Sequence, residues 1–223
     1  MIKLNARYNM IHEKMTVHKA LAELKTLDDR INSEITGSIF VKANRHNNMK
    51  IFGKSIEDFR ADTTSSLQSV MALIERRNAL KRAVVLSNAV TKVEIGGTEY
   101  TVAEAIEMNN HGMENLVDFR DFLRDQYSTV KRMVESENGD KLVKACENYI
   151  QATFGTKEKV NNPEIETTQK AYMTGNAYDI VTGFDIEKVI KELTDRIDAF
   201  KTEVDSALSV SNALTVIEFE YEN

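Results

Sequence analysis

The chain has a single proline in 223 residues, which removes most of the points at which a helix would be forced to stop. Long helices follow. It has one cysteine, Cys146, so no disulfide can form within a chain. Tryptophan is absent, and the four histidines (His12, His18, His46 and His111) are scattered, without the spacing that gathers a metal ion or a catalytic triad. No apolar run approaches the roughly 18 residues that a membrane span needs. The Met1 start lacks a basic segment followed by an apolar one, so the reading predicts no signal peptide and no membrane partner. What remains is 42% apolar and 29% charged, ordinary for a chain that buries a core.

The net charge of −6 hides an asymmetry. Residues 39–92 hold ten Lys/Arg against four Asp/Glu, whereas residues 93–223 hold thirteen against twenty-six. A basic part and an acidic part in one chain favour association between copies, or a local anion site, over broad binding to nucleic acid. No aromatic residues interleave with the basic ones, so no nucleic-acid partner is expected.

The chain also repeats itself. Ser87-Asn88-Ala89-Val90-Thr91-Lys92-Val93-Glu94-Ile95 returns 124 residues later as Ser211-Asn212-Ala213-Leu214-Thr215-Val216-Ile217-Glu218-Phe219. Upstream, Leu73, Leu80, Ala83 and Val84 match Ile197, Val204, Ala207 and Leu208. Apolar residues recur every three or four positions before each copy and alternate after it, so the repeated unit is a long helix that feeds a strand. The natural arrangement is two long helices lying together, each delivering a strand to one small sheet. Whether the two units pair within a chain or between chains stays open.

The fold class expected is therefore mainly α with a small β component. Long antiparallel helices form a coiled-coil-like bundle, with short hairpins or strands at their ends and an internal duplication of the helix-strand unit. Residues 1–15 read as an N-terminal arm, a strand docking elsewhere. A helical domain over 16–154 carries hairpins at 39–53 and 91–102, the first turning on the Asn-rich stretch Ala43–Asn48 and the second on Gly96-Gly97. Within it, Thr101-Val102-Ala103-Glu104 is a capping box that starts a helix, Gly112 is a weak spot, and Asn138-Gly139 ends or bends that helix. Residues 155–184, which hold Pro163, read as a loop or linker, and 185–223 as a helix plus terminal strand packing on the same domain.

No catalytic residue, cofactor or metal ligand is expected. Arg76, Arg77, Lys81 and Arg82 form the densest basic cluster, and Arg45 with His46 forms a second basic pair in the Asn-rich loop. Together they are the candidate anion-binding residues. Arg77 also falls on the apolar stripe, where an arginine usually marks a buried ion pair or a register-setting contact between helices.

From Asn88-Ala89-Val90-Thr91 through Gly97-Thr98 to Thr101-Val102-Ala103-Glu104-Ala105-Ile106, the chain resembles the septicolysin-like small helical bacterial proteins. The resemblance spans about residues 65–125 and implies a helical hairpin, a Gly-centred turn and a capped helix, with no activity to carry over. The chain departs from that family in its extra helices, its second copy of the motif and its Asn-rich loop. Its general character is also similar to that of many phage-encoded proteins. The functional expectation is a non-enzymatic homo-oligomeric helical scaffold or interaction protein, a phage structural or host-interacting component located in the virion or the host cytoplasm, with other virion or host proteins as further partners. The alternative is a binder of a small phosphorylated ligand or nucleotide, such as an anti-defence sponge.

Overall fold

The computed structural model describes residues 10–155 and 162–222. Most of the expected arm and part of the expected linker lie outside them. The protein is mainly helical with short antiparallel strand pairs. It divides into two compact units, one formed by Met1–Asn110 with Ala199–Asn223 and the other by His111–Asp198.

In the first unit, strand β1 (Met10–Thr16) runs into helix α1 (Val17–Gly37), whose N-terminus is capped by Thr16 Oγ1 accepting from the Lys19 amide at 3.3 Å. Strands β2 (Lys50–Ile51) and β3 (Lys54–Ser55) lead to helix α2 (Ile56–Val90), which is about 50 Å long at 1.5 Å per residue. Ser55 caps it through the Asp58 amide at 3.0 Å. Strands β4 (Lys92–Ile95) and β5 (Thr98–Thr101) form a hairpin on Gly96-Gly97, both at positive φ, and the Thr101/Glu104 capping box opens helix α3 (Val102–Glu107). The last part of helix α7 (Ile186–Leu214) and strand β6 (Val216–Glu222) complete the unit.

The duplication is legible bond by bond. Each long helix ends with a Thr amide donating to a Ser carbonyl four residues back, Thr91 to Ser87 at 2.9 Å and Thr215 to Ser211 at 2.8 Å. Each of those Thr carbonyls then accepts from the first residue of another helix, Val102 N to Thr91 O at 2.8 Å and Val17 N to Thr215 O at 2.9 Å. The strands share a register: Lys92 pairs with Thr101, and at the equivalent positions Val216 pairs with Thr16. The complete repeated object is thus helix-strand-strand-helix. One copy is continuous through Gly96-Gly97, and the other is assembled from α7-β6 and β1-α1.

The copies pack on each other within the chain, and they do so by exchange. Strand β6 follows α7 but covers α2, where Ile217 and Phe219 join Met15, Val17, Ala20, Leu27, Leu80 and Val84 in one buried cluster. Strand β4 follows α2, and its hairpin lies against α7: the Gly96 amide donates to Glu203 at 2.7 Å, and the Tyr100 ring meets Phe200 edge-on at 5.7 Å. Helices α1 and α2 are antiparallel neighbours, with Leu27 and Leu80 both fully buried between them. Gly96 sits at φ 58°, and a Cβ there would stand 3.2 Å from that of Ala199. Gly96→Ala is therefore expected to lower stability by about 1–2 kcal/mol, through left-handed backbone strain and crowding, measured by urea denaturation. An unchanged midpoint would mean that the hairpin does not seat on α7.

Three expectations are corrected. The strands do not share one small sheet; they form two separate ribbons, β4-β5 and β1-β6, because each finds its partner beside the next helix start. The hairpin expected over 39–53 is only the short β2-β3 pair around Phe52-Gly53, both at positive φ, the geometry of a tight primed turn. Residues 39–41 form no strand. The Asn-rich stretch instead closes on itself, with the Asn44 side chain donating to the Asn48 carbonyl at 2.8 Å, so its polar backbone is satisfied locally. The expected linker 155–184 holds a helix, described next.

In the second unit, helix α4 (Met113–Ser136) and helix α5 (Leu142–Phe154) are joined by a π turn over Glu137–Lys141, where Gly139 leaves helical geometry. A second π turn, Met108–Gly112, precedes α4 at the glycine identified as a weak spot. Helix α6 (Pro163–Asn176) starts with its proline at the first helical position, where no amide partner is lost, and Asn162 caps it through the Glu164 amide at 2.9 Å. Pro163, placed by the sequence in a loop or linker, is thus a helix start. Ile165 packs with Cys146 and Ile150, and Tyr149 stacks on Tyr172 at 4.7 Å. Asn138 clamps the segment after α6 with two bonds to the Tyr178 backbone, at 2.8 and 2.7 Å.

Candidate functional site

The basic residues of α2 fall on two faces. Arg76, four residues before the buried Leu80, points toward the core of the first unit. Its guanidinium donates to both oxygens of Glu13 on β1, to Glu23 on α1 at 2.6 Å and to the Tyr221 hydroxyl on β6, and it lies over the Phe219 and Tyr221 rings. Tyr221 in turn donates to Glu13 at 2.8 Å. Arg76 therefore ties α2 to three other elements at once. This is the ion pair anticipated for Arg77, found one position away and partly buried.

Hydrogen bonding from the Arg76 guanidinium holds the Glu13 carboxyl below its ordinary value of 4.5, against the opposing push of burial. The same contacts raise Arg76, and burial raises Tyr221. A carboxylate depressed on folding adds stability that is present above its unfolded value and is lost as pH falls through its folded one. Unfolding free energy should therefore drop as pH is lowered below about 4.5, and Glu13→Gln should flatten part of that drop in a pH series of denaturant melts. An unaltered acid limb would place Glu13 outside the network.

Arg77 and Lys81, on the neighbouring face, line an open groove of about 650 Å³ with His18, Leu21, Lys25 and Asp28 of α1. Arg77 is held there by Asp28 at 3.0 Å, a pair exposed enough to contribute little. The structure thus brings two of the six candidate residues, Arg77 and Lys81, into a cationic groove. Arg76 is consumed by its carboxylates, and Arg82 is exposed outside the groove lining. Arg45 and His46 sit in the exposed loop before β2, a segment that joins α2 at its start, roughly 30 Å along the helix from Arg76. The single anion site drawn from all six residues is corrected to two separate groups.

Sequence reasoning missed Glu13, Glu23 and Tyr221 as the partners of Arg76. A signal was present: the 124-residue offset places Arg76 in the slot of Phe200, an interior position in the other copy.

Cys146 is buried among apolar neighbours, which raises its pKa and keeps it a thiol. Among the described residues no group of three or more His, Cys, Asp or Glu could hold a metal ion, and no helix is long and apolar enough to cross a membrane. Compared with known proteins, the chain matches no protein-family model, no curated protein and no solved structure.

Proposed function

We propose that the protein is a non-enzymatic, homo-oligomeric helical scaffold whose exposed apolar stripes are contact faces between copies. The observation that carries this reading is a matched pair of uncovered positions at the ends of the two repeat helices. Leu86 and Val90 on α2 are 62% and 75% exposed, and their equivalents 124 residues on, Val210 and Leu214 of α7, are 55% and 76% exposed. The chain repeats the same exposed apolar turn at equivalent places of its two copies, which supports a use for it. The setting we propose is the one its general character suggests, a phage particle or a contact between phage and host, with gene neighbourhood as the check.

The test is sedimentation of the variant L86K/V90K/V210K/L214K beside the parent chain. The account expects a lower mass with unchanged helical circular dichroism. Equal masses would exclude these turns as contact faces.

A second reading is favoured by the groove of α1 and α2, whose lining holds His18, Lys25, Arg77 and Lys81 with a single carboxylate, Asp28. Such a groove suits a small phosphorylated ligand. Thermal shifts with a nucleotide panel decide it, since a ligand at 100 times its Kd stabilises by about 2.7 kcal/mol. No shift with any anion retires this reading.

A further inference from the structure

Helix α4 carries a second uncovered stripe, on a face other than the one it buries. Met113 and Leu123 are interior, whereas Phe119, Phe122, Val130 and Met133 stand exposed with Gln126 between them. At 100° per residue these five positions fall within an arc of about 80°, and they span about 21 Å of helix. Their spacing of three, four, four and three residues is symmetric about Gln126.

A symmetric stripe is its own complement. When a helix pairs antiparallel with a copy of itself across a two-fold axis, each residue meets the one at the mirrored position, and the contact is satisfied twice. Centred on Gln126, that operation sets Phe119 against Met133 and Phe122 against Val130, apolar on apolar at every step, with Gln126 opposite its own copy. The flank agrees: Asp118 and Arg132 lie on the same side of the stripe and fall opposite each other across the axis, giving two reciprocal ion pairs. One contact opposes the pairing. Asp125 lies beside the axis and meets its own copy, a like-charge approach.

We infer that α4 is an isologous interface, on which a second copy of this chain docks antiparallel with Gln126 on the two-fold axis. The inference rests on the homo-oligomer reading and adds a second contact face to the end turns of α2 and α7. An unrelated partner would have no reason to match the mirror symmetry of the stripe, whereas a second copy requires it.

Cysteine cross-linking of the full chain tests it. Cys146 is buried and gives little background. Gln126→Cys should yield a covalent dimer under mild oxidation, while Ser128→Cys, on the opposite face of α4, should not. F122D/V130D should weaken association by about 100-fold, and D125N should tighten it several-fold by removing the like-charge contact. If the parent chain sediments above its 25.3 kDa and yet Gln126→Cys forms no dimer, or Ser128→Cys forms one equally well, this interface is overturned and the oligomer reading stands. A strictly monomeric parent overturns both, and would leave the stripe to another protein.

Discussion

Arg76→Ala is expected to lower the unfolding free energy by about 3 kcal/mol, because it strands two carboxylates, Glu13 and Glu23, in a partly buried site shared with Tyr221. The duplication supplies the complementary result. At the equivalent places of the other copy the chain has Phe200 for Arg76, Thr98 for Glu13 and Met108 for Glu23. The triple variant R76F/E13T/E23M therefore exchanges the whole ionic set for the uncharged residues at the equivalent places, centred on a buried Phe. Replacing a complete buried ion cluster by apolar groups is often neutral or stabilising, whereas removing one member is not. The triple variant should recover most of what Arg76→Ala loses. Urea denaturation reads both; a loss under about 1 kcal/mol for the single variant, or a triple variant no better than it, would contradict the assignment.

Phe200→Ala should cost still more, about 4 kcal/mol. The ring is 2% exposed and meets Tyr100 edge-on, so truncation leaves a cavity and removes an aromatic pair. Its effect should also be local in a particular way. Phe200 and Glu203 form the wall on which the Gly96-Gly97 hairpin rests, so amide exchange at Ile95 and Tyr100 should accelerate more than at Ile217 and Phe219 on the other ribbon. Equal acceleration in both ribbons would show that the two copies do not hold their strands independently.

Much of this architecture was legible because its signals are local. Thr101 with Glu104, Gly96-Gly97, and the paired Ser-Asn-Ala runs each act within a few residues, and they place the helices, the hairpin and the duplication. The failures are all non-local or ambiguous. Pro163 is a breaker or a first helical residue depending on whether Asn162 caps, and that choice depends on Ile165 finding Cys146 and Ile150. The exchange of strands between copies is invisible in a one-dimensional offset, which shows that two segments are alike and not which helix each strand covers. Arg76 and Arg77 are adjacent on a helix whose apolar repeat drifts over 35 residues, so periodicity alone could not say which faces Glu13. The register of β1 on β6 was needed to bring Glu13 and Tyr221 to it.

The functional site was less legible than the fold. Six basic residue types near one another in sequence read as one anion site, but about six turns of α2 separate the loop of Arg45 and His46 from Arg77 and Lys81, and carboxylates claim Arg76. The uncovered stripes emerged only once burial distinguished the apolar residues that pack from those that do not.

The most direct test is the mass of the parent chain by light scattering at micromolar concentration. The account predicts a species of at least twice 25.3 kDa that dissociates on dilution. A single monomeric mass across the whole concentration range would contradict it.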